Sequence, residues 1–549
     1  MPRMDNYQNA CLRNNNPFTS PAGNSCPIHK LPAELLSYVF KLVVNCSVHS
    51  KPTTNVLEEL TGKVYVNHEP TRKLEVTKSD VLTPWLPICL VCHCWHSIAI
   101  STPSLWTDII IPPRWFQSLP FCCIIAQVER SKDLPIDILI DLGDPGDSFD
   151  PHYPDGFIPM VCKFLLTQVH RWHSFVLRVA GSGWQIRQMY EVLGTISKTC
   201  IPIAPKLKSF DLVCCGGRAL FEDEFRSIQK HFVLFDSSAP SLETISLSGA
   251  DINWNKAWIS SASNLTTLRI YIDWRESCPS WFEFATILHS SPNLKVLSFD
   301  LKVFLDDEHG DLNVDPAWVD PNLSSWSMER QYNMIPIKLL KLRQLEISLP
   351  ISMMVQLLRR CYIPALEKLK ICCSHFNHTP EDLDNLITQL VVPLVVTSTS
   401  LQAQPLHTQE QPCSLLTSVQ HLCITGFPHC GTQSINLLYS NLNQLTSLTL
   451  TLTGDTAFTD LLFTPMGQLC DVRLPQLKTL AISDPWLTYL DVRHICALAW
   501  HRKDIGVPLR ALLLDGGRMA WFPDECVSWC QENLESFHFT PLGRHRKYE

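Results

Sequence analysis

No apolar run in this 549-residue chain approaches the roughly 20 residues that a helix needs to cross a bilayer. The stretch QLVVPLVV at 389–396 is far too short and contains a proline. The first residues, MPRMDNYQNACLRNNNPFTSPAGNSC, also lack the apolar segment of a secretory signal. We therefore expect an intracellular protein, in the cytoplasm or the nucleus, that is neither secreted nor embedded in a membrane.

Long runs of lysine and arginine are absent as well, and the formal net charge is -8. A groove for nucleic acid would need a basic stripe to neutralise phosphates. The basic cluster RHRK at 544–547 is better explained as a solvated end of the chain. We expect no nucleic-acid partner.

The motifs that mark common catalytic sites are also missing. The chain contains no glycine-rich phosphate loop, no G-x-S-x-G and no H-E-x-x-H. Carboxylate pairs such as Asp306 and Asp307 lie in polar, loop-like sequence, where solvation is expected rather than acid–base catalysis. We expect no enzymatic activity and no cofactor.

Cysteine, in contrast, is abundant, with 23 residues. The segment CLVCHCWH at 89–96 contains a C-x-x-C-H match to a haem attachment site and several residue types that bind zinc. A structural zinc site would need a second ligand pair at a definite spacing, and none follows nearby. In a reducing compartment these cysteines are expected to be reduced, packed side chains that bind no metal.

The composition, 45% hydrophobic and 18% charged, is typical of a globular chain with an ample core. Near the N-terminus, LPAELLSYVFKLV at 31–43 predicts a helix, with Pro32 at its first position and Glu34 in its first turn. Apolar residues recur at three-to-four spacing along it, so one face must be covered: Leu35, Leu36, Val39, Phe40 and Val43.

A second stretch, LVCHCWHSIAISTPSLW at 90–106, repeats this pattern. Its apolar stripe predicts another short amphipathic helix, ended by the Thr102-Pro103 step. The stripe consists of Leu90, Val91, Cys94, Trp95, Ile98 and Ala99.

Together the two stretches resemble an F-box. The resemblance covers about 75 residues: a Leu-Pro-x-Glu-Leu opening at 31–35, an apolar pair ending in Phe40, a Val-Cys-x-x-Trp phrase at 91–95 and a closing STPSLW at 101–106. The closing phrase is similar to that of F-box-like proteins abundant in mushroom-forming fungi. The chain departs from a compact F-box in its largely polar segment at 45–83, which we interpret as a surface loop between the helices.

The resemblance implies that the N-terminal helices bind a Skp-family adaptor, which joins them to a cullin. The residues that match the adaptor-binding pattern are Leu31, Pro32, Leu35, Phe40, Val91, Cys92 and Trp95.

From about residue 170 onward, one phrase of three apolar anchors returns twelve times. The copies are Trp172/Phe175/Leu177, Leu207/Phe210/Leu212, Leu242/Ile245/Leu247, Leu265/Leu268/Ile270, Leu294/Leu297/Phe299, Leu342/Leu345/Ile347, Leu366/Leu369/Ile371, Val419/Leu422/Ile424, Leu445/Leu448/Leu450, Leu477/Leu480/Ile482, Leu509/Leu512/Leu514 and Leu534/Phe537/Phe539. The phrase resembles that of leucine-rich repeats, in which each copy supplies one short strand and successive strands stack in parallel. The segments 281–291 and 434–444 predict helices for the convex side.

The intervals between copies run from 23 to 53 residues, against roughly 20 to 29 for ordinary leucine-rich repeats. We therefore expect an α/β chain in which a short helical F-box-like module precedes an irregular leucine-rich-repeat-like solenoid. The predicted organisation is a disordered tail at 1–25, the F-box-like module at 26–110, a connecting and capping segment at 111–170 with a strand within 134–142, and the array at 171–549 with loops at 304–326 and 393–413.

Two main functional hypotheses follow. In the first, the chain is the substrate-recognition subunit of a Skp-cullin-F-box ubiquitin ligase and binds an unknown target protein through its array. In the alternative, it is a leucine-rich-repeat interaction scaffold with no ligase association. A third hypothesis, a cysteine-dependent enzyme, would require a reactive thiolate.

Overall fold

The computed structural model describes residues 31–49, 85–111, 121–142, 157–180, 204–215, 239–249, 254, 263–272, 278–301, 336–373, 379–392, 414–426, 431–451, 474–483, 489–515 and 524–540. These residues fall into two compact units. The helical unit comprises 31–49, 85–108 and 122–134, and the repeat unit comprises the remainder. The tail predicted at 1–25, most of the insertion predicted at 45–83 and the loops predicted at 304–326 and 393–413 lie outside the described residues.

The helical unit contains four α-helices and a 3-10 turn. They are α1 Ala33–His49, α2 Leu86–Val91, α3 His93–Ser101, the turn Pro103–Leu105 and α4 Cys122–Arg130. The helix predicted from residue 31 is therefore present, and it runs beyond residue 45, where the polar insertion was expected to begin. The unit also takes in α4, which the sequence placed in the connecting segment.

The stretch predicted as one helix from residue 90 is instead two helices with a break at Cys92. The backbone of Cys92 is extended (φ -162°, ψ 167°), and its Sγ accepts a hydrogen bond from the Trp95 N–H at 3.4 Å, which caps α3. The break interrupts the predicted apolar stripe. Leu90 and Val91 accordingly lie outside the core, with 73% and 57% of their surface exposed.

The core of the helical unit is formed by residues from three helices and the turn. Its buried members are Leu36, Phe40, Val44, Ile88, Ala99, Leu105 and Trp106. Trp106 connects several parts of it, because its indole N–H donates to the Ala99 carbonyl at 2.9 Å and its ring lies 4.5 Å from the Trp85 ring. The Arg130 guanidinium of α4 lies 4.5 Å from the centre of the Trp106 ring, a cation–π contact that explains why α4 belongs to this unit.

The repeat unit is built on one 14-stranded sheet whose strand order follows the chain. Its strands are β1 Asp108–Ile111, β2 Ile136–Leu142, β3 Trp172–Ala180, β4 Ser209–Cys215, β5 Thr244–Ser248, β6 Thr267–Ile272, β7 Val296–Leu301, β9 Gln344–Ser348, β11 Lys368–Cys372, β12 His421–Thr425, β13 Ser447–Thr451, β14 Thr479–Ser483, β15 Ala511–Asp515 and β16 Ser536–Thr540, while β8 Ile337–Lys338 and β10 Cys361–Tyr362 pair separately. From β2 to β16 every neighbouring pair in the main sheet is parallel.

Each of the twelve repeated phrases forms one strand, and their anchors align across the sheet. The middle anchors pair in one unbroken register, from Phe175 through Phe210, Ile245, Leu268, Leu297, Leu345, Leu369, Leu422, Leu448, Leu480 and Leu512 to Phe537. This register places equivalent apolar residues on one face, where they build a continuous core. The predicted leucine-rich-repeat-like solenoid is confirmed. The strand predicted within 134–142 is β2, so the sheet begins before residue 171.

Seven helices lie between the described strands. They are α5 Phe157–Leu166, α6 Trp281–Ser290, α7 Ile351–Arg360, α8 Pro380–Val391, α9 Thr432–Asn441, α10 Tyr489–Asp504 and α11 Asp524–Asn533. The helices predicted at 281–291 and 434–444 are α6 and α9. Phe284 of α6 packs on the anchor Phe299 with ring centres 4.8 Å apart, so this helix covers the anchor face of the sheet. The side chains between the anchors point to the opposite face, which we call the inter-anchor face.

None of the helices in the described ranges combines the length and the apolar character that a bilayer span requires.

Burial of a single thiol predicts a measurable loss of stability at alkaline pH. Burial raises the pKa of Cys162 in α5 from 9.0 to about 12. Between pH 9 and pH 12 the folded thiol keeps a proton that the unfolded thiol loses. The contribution of Cys162 to the free energy of unfolding is therefore fully present below pH 9 and decreases as the pH rises toward 12. At pH 10 the loss from this one group is about 1.4 kcal/mol.

Denaturant unfolding of wild type and Cys162→Ala at pH 8 and pH 10 measures this effect. The variant should lose about 1.4 kcal/mol less than wild type between the two pH values. Cys94→Ala, which removes an exposed thiol from the chain, is the matched control. An identical pH dependence in wild type and Cys162→Ala would contradict the prediction.

Candidate protein-docking surfaces

Helix α1 is apolar on two sides, and the described residues cover only one of them. Leu36, Phe40 and Val44, spaced four residues apart, are buried in the core of the helical unit. Leu35 and Tyr38 are 51% and 62% exposed on the other side. A helix in water normally exposes polar residues on the face opposite its core, so the exposed apolar side of α1 is a candidate docking surface.

Helix α2 shows the same division on a smaller scale. Ile88 is buried in the core, whereas Leu86, Leu90 and Val91 are exposed. The described residues include seventeen exposed large hydrophobic side chains, and ten of these belong to the helical unit. The helical unit is nevertheless the smaller of the two units. We call the following set the outer apolar surface: Leu31, Leu35, Tyr38, Val39, Leu42, Leu86, Leu90 and Val91. Its concentration in one small unit is unlike the scattered apolar residues of an ordinary protein surface.

The seven residues that the sequence assigned to adaptor binding divide into two groups. Leu31, Pro32, Leu35 and Val91 are exposed, in positions that a partner could cover. The remaining three are Phe40, Cys92 and Trp95, which make contacts within the unit.

Phe40 has only 1% of its surface exposed, and its ring lies 4.9 Å from the ring of Trp95. Trp95 is partly buried against the same core, and Cys92 caps α3. These three side chains therefore make contacts within the helical unit, and Phe40 lies in its core.

Sequence reasoning did not assign five members of the outer apolar surface to binding: Tyr38, Val39, Leu42, Leu86 and Leu90. The signal for part of this set was present, because residues 31, 35, 38 and 42 follow the spacing of a second helical stripe beside the buried one. No comparable signal existed for α2, since its orientation depends on the break at Cys92.

The inter-anchor face of the repeat unit carries a hydrogen-bonded polar cluster on neighbouring strands. Glu346 of β9 accepts hydrogen bonds from Ser298 of β7 at 3.1 Å and from the Gln344 amide at 2.8 Å. The Ser298 hydroxyl also lies 3.3 Å from the Tyr271 hydroxyl of β6. Three consecutive strands thus present polar side chains in fixed positions.

Three buried polar atoms on the same face of the sheet have no hydrogen-bond partner among the described residues. They are Asp211 Oδ1 of β4, Asp300 Oδ1 of β7 and Ser348 Oγ of β9. Burial raises the pKa of Asp211, an effect opposed by a hydrogen bond to Ser246 and by two nearby arginines. Unsatisfied buried polar atoms are costly, and a ligand that supplies hydrogen-bond donors would remove the cost.

No group of three or more histidine, cysteine, aspartate or glutamate side chains in the described ranges could hold a metal ion. In the segment at 89–96, which contains the C-x-x-C-H match, His93, Cys94 and His96 point to solvent. Cys89 is half-buried, and burial raises the pKa of its thiol.

Comparison with known proteins finds no matching protein family and no matching curated protein. Among solved structures, a leucine-rich-repeat protein of Leptospira interrogans is similar at 14% identity, with 72% of this chain and 95% of that chain covered and a TM-score of 0.22. LegL7, a leucine-rich repeat-containing protein of Legionella pneumophila, is similar at 13% identity, with 69% and 90% covered and a TM-score of 0.28. The description of the array as leucine-rich-repeat-like rests on its own strand order and register.

Proposed function

We propose that this chain is the substrate-recognition subunit of a Skp-cullin-F-box ubiquitin ligase. The observation that carries the proposal is the outer apolar surface, which lies on the two helices that resemble an F-box. Docking of a Skp-family adaptor would remove this surface from water at a gain of roughly 25 cal/mol for each Å² of apolar area.

In this proposal the repeat unit binds the target protein and performs no chemistry itself. The inter-anchor face offers the fixed polar cluster around Glu346. These groups favour a target that presents hydrogen-bond donors. Holding such a target near a charged conjugating enzyme raises the effective concentration of the reacting groups, which is sufficient for transfer of ubiquitin.

The test is co-expression of the full chain with a Skp-family adaptor, followed by purification of the complex and measurement of its affinity. Leu35→Glu combined with Leu42→Glu should weaken binding at least about 100-fold, because two buried leucines contribute about 3 to 6 kcal/mol together. Both residues are exposed in the free chain, so the fold should survive. Lys41→Glu, on the same helix and with the same net charge change, is the matched control.

Failure of wild type to bind the adaptor would overturn this proposal. Equal binding by the wild type and the double variant would exclude α1 as the docking surface. Circular dichroism of each variant confirms that lost binding does not reflect lost folding. The scaffold hypothesis predicts no adaptor binding but leaves target binding by the array intact, so the two hypotheses separate in this experiment.

A further inference from the structure

Three cysteines meet between the last two helices of the repeat unit. Cys496 lies on α10, and Cys526 and Cys530 lie one turn apart on α11. The Sγ atoms of Cys496 and Cys530 are 3.9 Å apart, and both residues are buried. Cys526 is partly exposed. Cys496 thus lies against two thiols of the neighbouring helix.

The pKa values of the two closest thiols are shifted in opposite directions. Cys496 hydrogen-bonds to Cys530, which lowers the pKa of Cys530 despite its burial and raises the pKa of Cys496. Cys162 and Cys361 are also buried, but burial raises the pKa of each to about 12, with Arg360 opposing the rise at Cys361. A thiolate is the reactive form of cysteine, so the pair at Cys496 and Cys530 differs in kind from the other buried thiols.

We propose that Cys496 and Cys530 are a redox modification site, at which a peroxide produces a reversible disulfide between α10 and α11. The carrying observation is geometric: two buried sulfurs in contact on adjacent helices, with a partly exposed third thiol at the edge of the pair. A disulfide bond is about 2.05 Å long, so the sulfurs must approach by about 1.9 Å.

Oxidation starts at Cys526, the member of the group that solvent reaches. Its thiolate attacks one peroxide oxygen, the O–O bond breaks, and sulfenic acid and hydroxide form. The Cys496 thiol then attacks the Cys526 sulfur, and its proton passes to the departing oxygen. The S–O bond breaks, and the second oxygen leaves as water after taking up a proton.

Thiol–disulfide exchange completes the sequence. The Cys530 thiol attacks the Cys496 sulfur, and its proton passes to the Cys526 sulfur as the bond between Cys496 and Cys526 breaks. In total, one hydrogen peroxide is reduced to two waters and two thiols are oxidised to one disulfide. The product closes a loop of 34 residues that contains β15, so it ties the last repeats together.

The experiment uses the reduced full-length chain, exposed to hydrogen peroxide, alkylated and digested for mass spectrometry. The expected result is a cross-linked peptide joining Cys496 to Cys530, with two fewer alkylated thiols in the chain and full recovery after dithiothreitol. The cross-link should be lost in Cys496→Ser and in Cys530→Ser and retained in Cys162→Ser. Cys526→Ser should slow its formation at least about tenfold.

The proposal would be overturned if Cys496 and Cys530 of the wild-type chain are still alkylated in full when the alkylating reagent is added after peroxide. This outcome does not depend on how well any variant folds. A stable end product that joins Cys496 to Cys526 would also contradict it. An unchanged rate in Cys526→Ser would overturn the assignment of Cys526 as the first residue oxidised.

Discussion

Replacing Phe40 by alanine should destabilise the helical unit by about 3 to 5 kcal/mol, the cost of truncating a fully buried phenylalanine. Phe40 is almost completely buried and packs on Trp95 and within the cluster of Leu36 and Trp106. Removing the ring leaves a cavity at the point where α1 meets α3. The neighbouring substitution Val39→Ala, at a position 39% exposed, should cost about 0.5 kcal/mol or less.

Amide hydrogen exchange measures this difference locally. Peptides from α1, α2 and α3 should exchange faster in Phe40→Ala, because the free energy of local opening falls, while peptides from the repeat unit serve as an internal reference. Val39→Ala should exchange like wild type. Equal exchange in the two variants would contradict the division of α1 into a buried and an exposed apolar side.

The contrast between residues 39 and 40 also shows what the sequence could predict in the helical unit. Periodicity predicted a helix with a broad apolar face containing Leu35, Leu36, Val39 and Phe40. Neighbouring residues on a helix point about 100° apart, so one member of each pair can face the core while the other faces solvent. The pattern does not tell which member is buried, because that depends on the helices that pack beside α1.

The break between α2 and α3 at Cys92 could not be predicted from the sequence either. The sequence around it contains no glycine or proline that would mark the end of a helix, since Pro87 lies near the start of α2. The extended backbone of Cys92 is stabilised by its own side chain, which accepts the N–H of Trp95. A cysteine cap is a weak sequence signal, because serine, threonine, aspartate and asparagine are the residues that usually occupy this position.

The array was far more predictable, because each strand carries the same local phrase. Segments of different length connect the strands without shifting the register, since they leave the sheet at one strand and return at the next. Strands β1 and β2 carry no copy of the phrase, although the alternation in 134–142 indicated β2. The polar contacts could not be predicted in this way: Ser298 and Glu346 are 48 residues apart, and only the register of β7 and β9 brings them together.

Replacing Phe175 by alanine tests the consequence of that register in the repeat unit. The Phe175 ring is stacked on Trp172 at 4.8 Å and on Phe210 of the next strand at 5.6 Å. Its loss should cost about 3 to 5 kcal/mol of stability, of which each broken aromatic pair accounts for about 0.5 to 1.5 kcal/mol. The effect should be centred on β3 and β4.

Repeat arrays are stabilised by contacts between neighbours, so the damage should decline with distance along the sheet. Hydrogen exchange in Phe175→Ala should therefore accelerate most in peptides from β2 to β5 and least in those from β13 to β16. Phe282→Ala, which truncates a partly exposed phenylalanine of α6, should have a much smaller effect and controls for the substitution itself. Uniform acceleration from β2 to β16 would instead mean that the whole sheet unfolds as one cooperative unit, in which case contacts between neighbouring strands do not limit how far a local defect spreads.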